Sequence, residues 1–517
     1  MTKTTHWADK YAEKIIEKKP DKKEYTIEAA ITPSGVVHAG NFREIITQYL
    51  VHKSLKEKGE KSRYIYFWDD YDRFRKVPKG IDQSWEKYIG LPVSETPDPW
   101  ECHDSYAEHF KNEVIEEIGE MDLGEMDFKS ASEEYKEGTF TELIRKALEN
   151  KEEIREIINR YREEPHGKEW IPIRVYCEKC GKDTTTAEYI GEYKLKYRCE
   201  CGEESVVDFK EKPGSAKLPW RIDWPMRWKH YDVDFESSGK EHQASGGSVD
   251  TAIPISKQVF NQEPPIQPMY EFISIKGQKE KMSSSKGNVV RIKDLLEIYE
   301  SGVILYLYTS KINKAFDIAF DEEIINIYNR FDRAEKAYFE DGDENEARRY
   351  ELSVREVPKK QPQRIPFGFC STIAQVAEDE ERRKKILERT GHLENPSEKN
   401  IELALKRIEL AGNWIDKYAS NKYKYKIQKE MPEEAKEIDE KILEIYEKAA
   451  TEIEKGKNGQ EIQQFIYEAA KEKEIPIGKT FQAGYKLILG KKQGPRLGPF
   501  LATLNEEFVL KRLRRKE

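Results

Sequence analysis

Tyr25-Thr26-Ile27-Glu28-Ala29-Ala30-Ile31 leads directly into Thr32-Pro33-Ser34-Gly35-Val36-Val37-His38-Ala39-Gly40-Asn41. The first seven residues are strand-like. The glycine-bearing turn after them opens a helical run, Phe42–Lys58, that Gly59 closes as a C-cap. Arg63–Trp68 is a second strand-like run and ends in Asp69-Asp70-Tyr71-Asp72. Strand, turn, helix and strand in this order make a βαβ unit of an α/β fold. In such open sheets the ligand crevice lies outside the carboxyl ends of the strands, where both the His38 turn and the acidic run fall.

The His38 turn has the chemistry of a phosphate site. A helix N-terminus presents free N–H groups and the positive end of a dipole. Gly35 and Gly40 allow backbone and ligand to approach closely. Far downstream, Lys281-Met282-Ser283-Ser284-Ser285-Lys286-Gly287-Asn288 carries two lysines five residues apart in a Ser/Gly-rich turn. Short side chains expose backbone N–H groups and the ammonium groups meet charge, which suits a polyphosphate. Either stretch alone also fits an ordinary turn; it is their pairing in chain order that argues for one nucleotide site. Between them lies Gly239-Lys240-Glu241-His242, followed by Gly246 and Gly247. Glycines beside His and an acid suit a ribose and adenine pocket.

Six cysteines are present, four of them in two tight pairs, Cys177-x2-Cys180 and Cys199-x-Cys201. Four thiolates at this spacing in a β-rich segment fit a closed tetrahedral structural zinc site better than two disulfides. Asp98, Cys102, His103 and His109 form a second mixed set in a chain with only nine histidines. Mixed Cys/His/carboxylate ligation suits zinc, although the spacing equally fits a polar helix start near Pro99.

The 517 residues predict several domains. Hydrophobic residues make up 37% and charged residues 36%, with no apolar run of the ~20 residues that would span a bilayer. The N-terminus is polar, without a signal-peptide core. A net charge of −9 means that any RNA contact comes from local patches. Residues 1–24 read as an amphipathic helix ended near Pro20. From about Leu91 to Pro213 helical charged segments, Tyr106–Ile118 and Thr141–Arg162, lead to the β-rich cysteine piece Ile173–Phe209, which reads as an insertion. From Ala315 the pattern is almost wholly helical. There Trp414, Tyr418, Tyr423 and Tyr425 interleave with Lys417, Lys422, Lys424 and Lys426, a mixture suited to unstacked RNA bases as well as to a helix with a solvated lysine face.

Pro33–Asn41 and Lys281–Asn288 resemble the paired "HIGH" and "KMSKS" ATP-binding signatures of class I aminoacyl-tRNA synthetases. Asn41 replaces the final His, Ser284 stands where the second signature lysine belongs, and Glu241 replaces the Asp of a "GxDH" segment. Further blocks are Thr32-Pro33-Ser34-Gly35, Asp69–Asp72 with Arg75-Lys76-Val77-Pro78, Leu218-Pro219-Trp220-Arg221 and Trp224-Pro225-Met226-Arg227-Trp228. Near the C-terminus stand Ala411-Gly412-Asn413-Trp414 and Gly494-Pro495-Arg496-Leu497-Gly498-Pro499-Phe500. Together they resemble the class I lysyl-tRNA synthetase family, common in archaea and some bacteria, over nearly the whole chain.

The resemblance implies an α/β Rossmann catalytic core with a zinc-bearing insertion, followed by an all-α C-terminal helical cage that reads the anticodon. The expected parts are a first catalytic half (1–95), a connective zinc-binding insertion (96–215), a second catalytic half (216–265), a KMSKS-containing connection (266–330) and the anticodon-binding domain (331–517). The implied activity is ATP-dependent conversion of L-lysine to lysyl-adenylate and transfer to the 3′-terminal adenosine of tRNA(Lys). ATP, Mg²⁺ and Zn²⁺ take part, and a cytoplasmic monomer without membrane contact is expected. Another class I synthetase, or a tRNA-binding paralogue without activation, stays open as an alternative.

Catalytic roles fall on His38, Asn41, Lys281 and Lys286. ATP contacts fall on Pro33, Ser34, Gly35, His38, Gly40, Asn41, Gly239, Glu241, His242, Gly246, Gly247 and the loop Lys281, Met282, Ser283, Ser284 and Ser285. Lysine contacts implied by the family are Thr32, Trp220, His242 and Tyr270, to which placement at a strand end adds Asp69 and Asp70. The family also implies a second zinc at Asp98, Cys102, His103 and His109, and tRNA contact is expected at Trp414, Lys422 and Arg496.

Overall fold

The computed structural model describes residues 6–277, 289–390, 392–393 and 395–516. Its chain divides into two compact units. The first comprises Met1–Leu295, Ile304–Ile318 and Glu351–Arg355. The second comprises Leu296–Val303, Ala319–Tyr350 and Glu356–Glu517.

The first unit is built on a parallel sheet in which Asp127–Ser130, Ser62–Trp68, Tyr25–Ile31 and Val233–Phe235 lie side by side in that order. Tyr25 pairs with Ser62 and the register runs unbroken to Ile31 against Trp68. Tyr64–Trp68 are buried without alternation, as expected of a central parallel strand covered on both faces. Helices Phe42–Glu57 and Tyr106–Glu120 make the crossovers. In chain order the strands sit 3-2-1-4, the doubly wound arrangement whose switch point lies at the ends of Tyr25–Ile31 and Val233–Phe235. The expected C-cap is at Gly59, whose φ of +85° ends the Phe42–Glu57 helix one residue past its cap. The N-terminal helix, Trp7–Lys18, lies against Phe42–Glu57.

Two details differ from the sequence expectation. The stretch 96–215 is not wholly an insertion, because Asp127–Ser130 within it is the edge strand of the main sheet. Four residues, two of them charged, are too short a run for periodicity to reveal. The expected helix Thr141–Arg162 is two, Thr141–Glu149 and Lys151–Asn159, with Asn150 between them. The cysteine piece is an antiparallel three-stranded sheet, Thr185–Gly191, Lys194–Cys199 and Glu204–Asp208. Beyond the main sheet, Ser238–Gly239 pairs in parallel with Met269–Tyr270, which brings the His242 segment beside Tyr270.

The second unit is largely helical, from Glu323–Phe339 through Glu398–Lys417 to Glu506–Leu513. Its interior is knotted by buried charge. Arg407 reaches Glu300 at 2.6 Å and Asp332 at 2.8 Å, and Arg364 reaches Glu300 and Glu335 at 3.0 Å each. Among the described residues no helix is long and apolar enough to cross a membrane.

Candidate active site

The turn after Tyr25–Ile31 is stitched at several points. The Asn41 side-chain oxygen accepts from the His38 N–H at 3.1 Å, and the Asn41 N–H donates to the His38 carbonyl at 2.8 Å. Ala39 N–H donates to the Val290 carbonyl at 2.7 Å, and the Tyr308 hydroxyl donates to the Ala39 carbonyl at 2.7 Å. The segment that follows residues 281–288 is therefore hydrogen-bonded to the His38 turn. Lys281, Met282, Ser283, Ser284, Ser285 and Lys286 themselves lie outside the described residues.

Beside this turn, at the carboxyl ends of Tyr25–Ile31 and Ser62–Trp68, a cavity of about 290 Å³ opens. Its walls include Thr32, Asn41, Asp69, Trp220, Glu241, His242 and Tyr270. Five of the six residues expected to bind lysine thus meet in one space. The Trp220 and His242 rings stand edge to face at 5.5 Å, and Trp224 packs behind Trp220 at 5.6 Å. Asp70 is the sixth and does not line the cavity. Its carboxylate turns the other way, accepting from Ser130 Oγ (2.7 Å), Ser132 N–H (2.8 Å) and Lys111 Nζ (3.1 Å).

The cavity's charge is set by residues that sequence reasoning missed. Glu44, Asp72, Tyr66 and Arg75 also line it. Behind it Arg227, 2% exposed, pairs with Asp69 at 2.6 Å, Glu28 at 3.2 Å and Asp223 at 3.4 Å. Lys217 pairs with Asp72 at 3.1 Å. Glu236 accepts from the indole N–H groups of Trp224 (2.8 Å) and Trp228 (2.6 Å). Glu28, Glu44, Asp69, Asp72, Asp223 and Glu236 thus face two buried cations and the exposed Arg75. Burial, then repulsion from Glu236, pushes the Glu44 carboxyl up to about 8. Burial pushes Asp69 up to about 6 against the pull of Arg227, and Glu236 up to about 7. Asp72 is the exception: although burial opposes it, Lys217 holds its carboxyl below the usual range. A space with this excess of carboxylates favours a cationic guest. Glu44 could have been suspected from its place in the first turn of the helix that the His38 turn opens; Arg227, about 200 residues away in sequence, could not.

Gly239 and Gly247 allow tight backbone turns around the cavity wall. A Cβ on Gly247 would stand 2.4 Å from the His242 carbonyl oxygen, and one on Gly239 would stand 2.6 Å from Glu241 Oε2. Gly246 takes a φ of +76° and donates its N–H to Asp250 at 2.8 Å. Of the first signature, Pro33 is buried, Ser34 is exposed with its carbonyl accepting from Tyr106, and Gly35 and Gly40 are half-buried.

A family model described as tRNA synthetases class I (K) matches residues 5–356, and one for an anticodon binding domain matches residues 377–516. The chain belongs to the class I tRNA synthetase (K) family. Proteins named lysine–tRNA ligase resemble this synthetase over 98% of its length and 99% of theirs. They are 45% identical in Pyrococcus furiosus, 43% in Pyrococcus horikoshii and 44% in Thermococcus kodakarensis. The doubly wound core and the largely helical C-terminal unit accord with the family.

Two further clusters of this synthetase have the donor sets of metal centres. Cys177 and Cys201 Sγ lie 3.7 Å apart, and Cys180 and Cys199 Sγ lie 3.6 Å apart. A disulfide would need ~2 Å, whereas tetrahedral ligation at ~2.3 Å requires sulfurs about 3.8 Å apart. All four therefore stand where one ion would hold them. In the second cluster Cys102 Sγ is 3.2 Å from Asp98 and from His103 Nδ1, and 3.3 Å from His109 Nδ1. Asp98 is buried, yet hydrogen bonds from Cys102 and from the N–H groups of Trp100, Cys102 and His103 hold it below the usual carboxylate range. In each cluster the ligand atoms lie within 4.8 Å of one another.

In the second unit, Trp414 is not available to RNA. It is 0% exposed and its indole donates to the Phe320 carbonyl at 3.0 Å. Its place in the Glu398–Lys417 helix faces the core, where Phe367 lies 5.9 Å away. Lys422 and Arg496 instead share the wall of a cavity of about 310 Å³ with Phe369, Tyr423 and Tyr425.

Proposed function

We propose that this chain is a lysine–tRNA ligase. It activates L-lysine with ATP to lysyl-adenylate and passes lysine to the 3′-terminal adenosine of tRNA(Lys). The observation that carries the reading is the acidic cavity beside the His38 turn. It offers Glu44, Asp69 and Asp72 to an ammonium group and the rings of Trp220, His242 and Tyr270 to its aliphatic stem. A glutamate side chain would bring one more carboxylate into a space already rich in them, so lysine is favoured over an acidic amino acid.

In the first step the lysine carboxylate attacks the α-phosphorus of ATP in line. The bond to the pyrophosphate breaks and the mixed anhydride forms. No protein nucleophile is needed, because positioning and charge stabilisation do the catalysis. His38, with Asn41 holding its backbone, orients the triphosphate; Lys281 and Lys286 are assigned to the developing charge. Gly239, Glu241, His242, Gly246 and Gly247 shape the adenosine side, and Pro33, Ser34, Gly35 and Gly40 the phosphate side. Mg²⁺ bound to the phosphates supplies charge neutralisation. In the second step the 2′-hydroxyl of the terminal adenosine attacks the acyl carbon and AMP leaves.

Cys177, Cys180, Cys199 and Cys201 hold a structural zinc. Asp98, Cys102, His103 and His109 hold a second. Both sets are closed, so neither is given a step in the reaction. Lys422 and Arg496 meet the tRNA backbone in the helical unit. The enzyme works as a monomer in the cytoplasm; the thiol rather than disulfide spacing of the cysteines supports the reducing compartment. The deciding experiment is ATP–pyrophosphate exchange dependent on the amino acid, run with and without tRNA(Lys). Lysine is expected to support exchange and glutamate is not; exchange with glutamate alone would end the assignment.

A further inference from the structure

The Tyr106–Glu120 helix touches the chain on both sides of the nucleotide turn. At its first residue the Tyr106 hydroxyl donates to the Ser34 carbonyl at 3.1 Å. Further along, Glu117 Oε1 accepts from the Lys293 N–H at 3.2 Å. Glu113 pairs with Lys293 Nζ at 3.0 Å and with Arg291 at 3.6 Å. The spacing of Tyr106, Glu113 and Glu117 puts all three on one face of the helix. Arg291 follows Val290 directly, and the Val290 carbonyl is the group that accepts from the Ala39 N–H. The His38 turn is thus tied to this helix twice, at Ser34 directly and at Ala39 by way of residues 290–293.

Packing alone does not call for an acid at Glu117. The residue is buried, its Oε2 has no hydrogen-bond partner, and burial pushes the carboxyl up to about 7 against the pull of the Lys293 N–H. A buried, half-satisfied carboxylate costs stability that an apolar side chain of similar size would not. The hydrogen bond it does make goes to the segment that holds Ala39. Neither Glu113 nor Glu117 lines the lysine cavity, so their influence falls on the nucleotide side.

We propose that Glu113 and Glu117 are positioning residues for ATP: through residues 290–293 they hold Ala39, and with it the His38 turn. The inference rests on the ligase reading for one point, that ATP meets this turn. Neither carboxylate touches the substrate. Each acts through Lys293 and the Val290 carbonyl, fixing a backbone that would otherwise have to be ordered when the triphosphate arrives.

The test measures the affinities for ATP with Mg²⁺ and for lysine separately, by calorimetry on the full chain. The variants are Glu113→Gln, Lys293→Met, the two combined, Glu117→Leu and Glu117→Gln. Glu113→Gln and Lys293→Met each remove one side of a partly exposed ion pair and are expected to weaken ATP binding about threefold. The combined variant should also lose about threefold rather than about ninefold, because both changes act on one contact. Glu117→Leu removes the buried acceptor and should cost about tenfold in ATP affinity, whereas Glu117→Gln keeps an oxygen there and should stay within about twofold of wild type. Lysine affinity should be unchanged throughout. Should Glu117→Leu fail to fold, the Glu113 and Lys293 variants decide the matter by themselves. Unchanged ATP affinity in those variants, equal weakening of ATP and lysine, multiplicative loss in the combined variant, or wild-type protein that binds no ATP each overturns the proposal. Lysine-dependent exchange by wild-type protein tests the ligase reading alone. If exchange is absent while ATP binding follows the expected pattern, that reading fails and the positioning role stands.

Discussion

The Ala39 N–H donates to the Val290 carbonyl at 2.7 Å, joining the turn that ends the first strand to the segment that follows residues 281–288. Ala39's other backbone group is held by Tyr308, at 2.7 Å. A turn fixed from both sides is held in one conformation, which in the proposed activation would meet a triphosphate without reorganisation. Tyr308→Phe leaves the buried Ala39 carbonyl without its donor, a loss of about 1–3 kcal/mol. Lysine-dependent exchange should fall about tenfold in kcat/KM for ATP, with the KM for lysine unchanged and the circular dichroism spectrum retained. An unaltered ATP dependence would remove the turn from the site.

Lysine binding should depend on pH in a defined direction. Glu44 is raised to about 8, Glu236 to about 7 and Asp69 to about 6, all chiefly by burial. A raised carboxyl pKa means the folded protein holds a proton that the unfolded chain has released, so these groups make stability fall as pH climbs from their unfolded values to about 8. The ε-ammonium of lysine favours the ionised forms. Affinity for lysine should therefore rise between pH 6 and pH 8, and binding should release protons. Calorimetry in buffers of different ionisation enthalpy reads this directly; proton uptake would contradict the acidic-cavity account.

Metal content separates the two clusters. Wild-type protein should carry two zinc ions per chain, one for each cluster. Cys177→Ala should lose one and Asp98→Asn the other, as measured by plasma emission on dialysed protein. Both variants should melt at lower temperature, since structural zinc contributes folding energy. Activation kinetics measured below that temperature should stay within about twofold of wild type, because neither donor set leaves an open position.

Trp414 and Lys422 should part company. Removing the buried indole in Trp414→Ala creates a large cavity and is expected to cost about 3–5 kcal/mol of stability in urea unfolding. Lys422 is exposed, with its ammonium 5.4 Å from the Tyr423 ring. Lys422→Ala should leave unfolding unchanged and reduce the salt slope of tRNA binding by about 1. The reverse pattern would place the RNA against Trp414 and away from Lys422.

The legible parts of this molecule are those whose causes are local. Tyr25–Ile31, the turn at His38 and the helix closed by Gly59 follow from short-range backbone preference, and the structure reproduces those bounds to within a residue. The clustering of the four cysteines was readable because their two tight pairs are written in the sequence. Asp127–Ser130 was not readable, since its pairing with Ile65–Trp68 is made by a neighbour some 60 residues away. The aromatic-and-lysine stretch near Trp414 misled for a related reason: composition does not say which face of a helix meets the core.

Residue order alone was enough for the βαβ start, the clustering of the four cysteines and the family, because each is written in contiguous chemistry. Only folding in three dimensions decided that Asp69 lines the cavity while Asp70 is consumed by Ser130, Ser132 and Lys111. It likewise decided that Arg227 holds Asp69, Glu28 and Asp223 together behind the cavity. The charge of a buried site is a sum over residues that meet through space, with low dielectric strengthening every member. That sum cannot be taken along a chain whose contributors lie 200 residues apart.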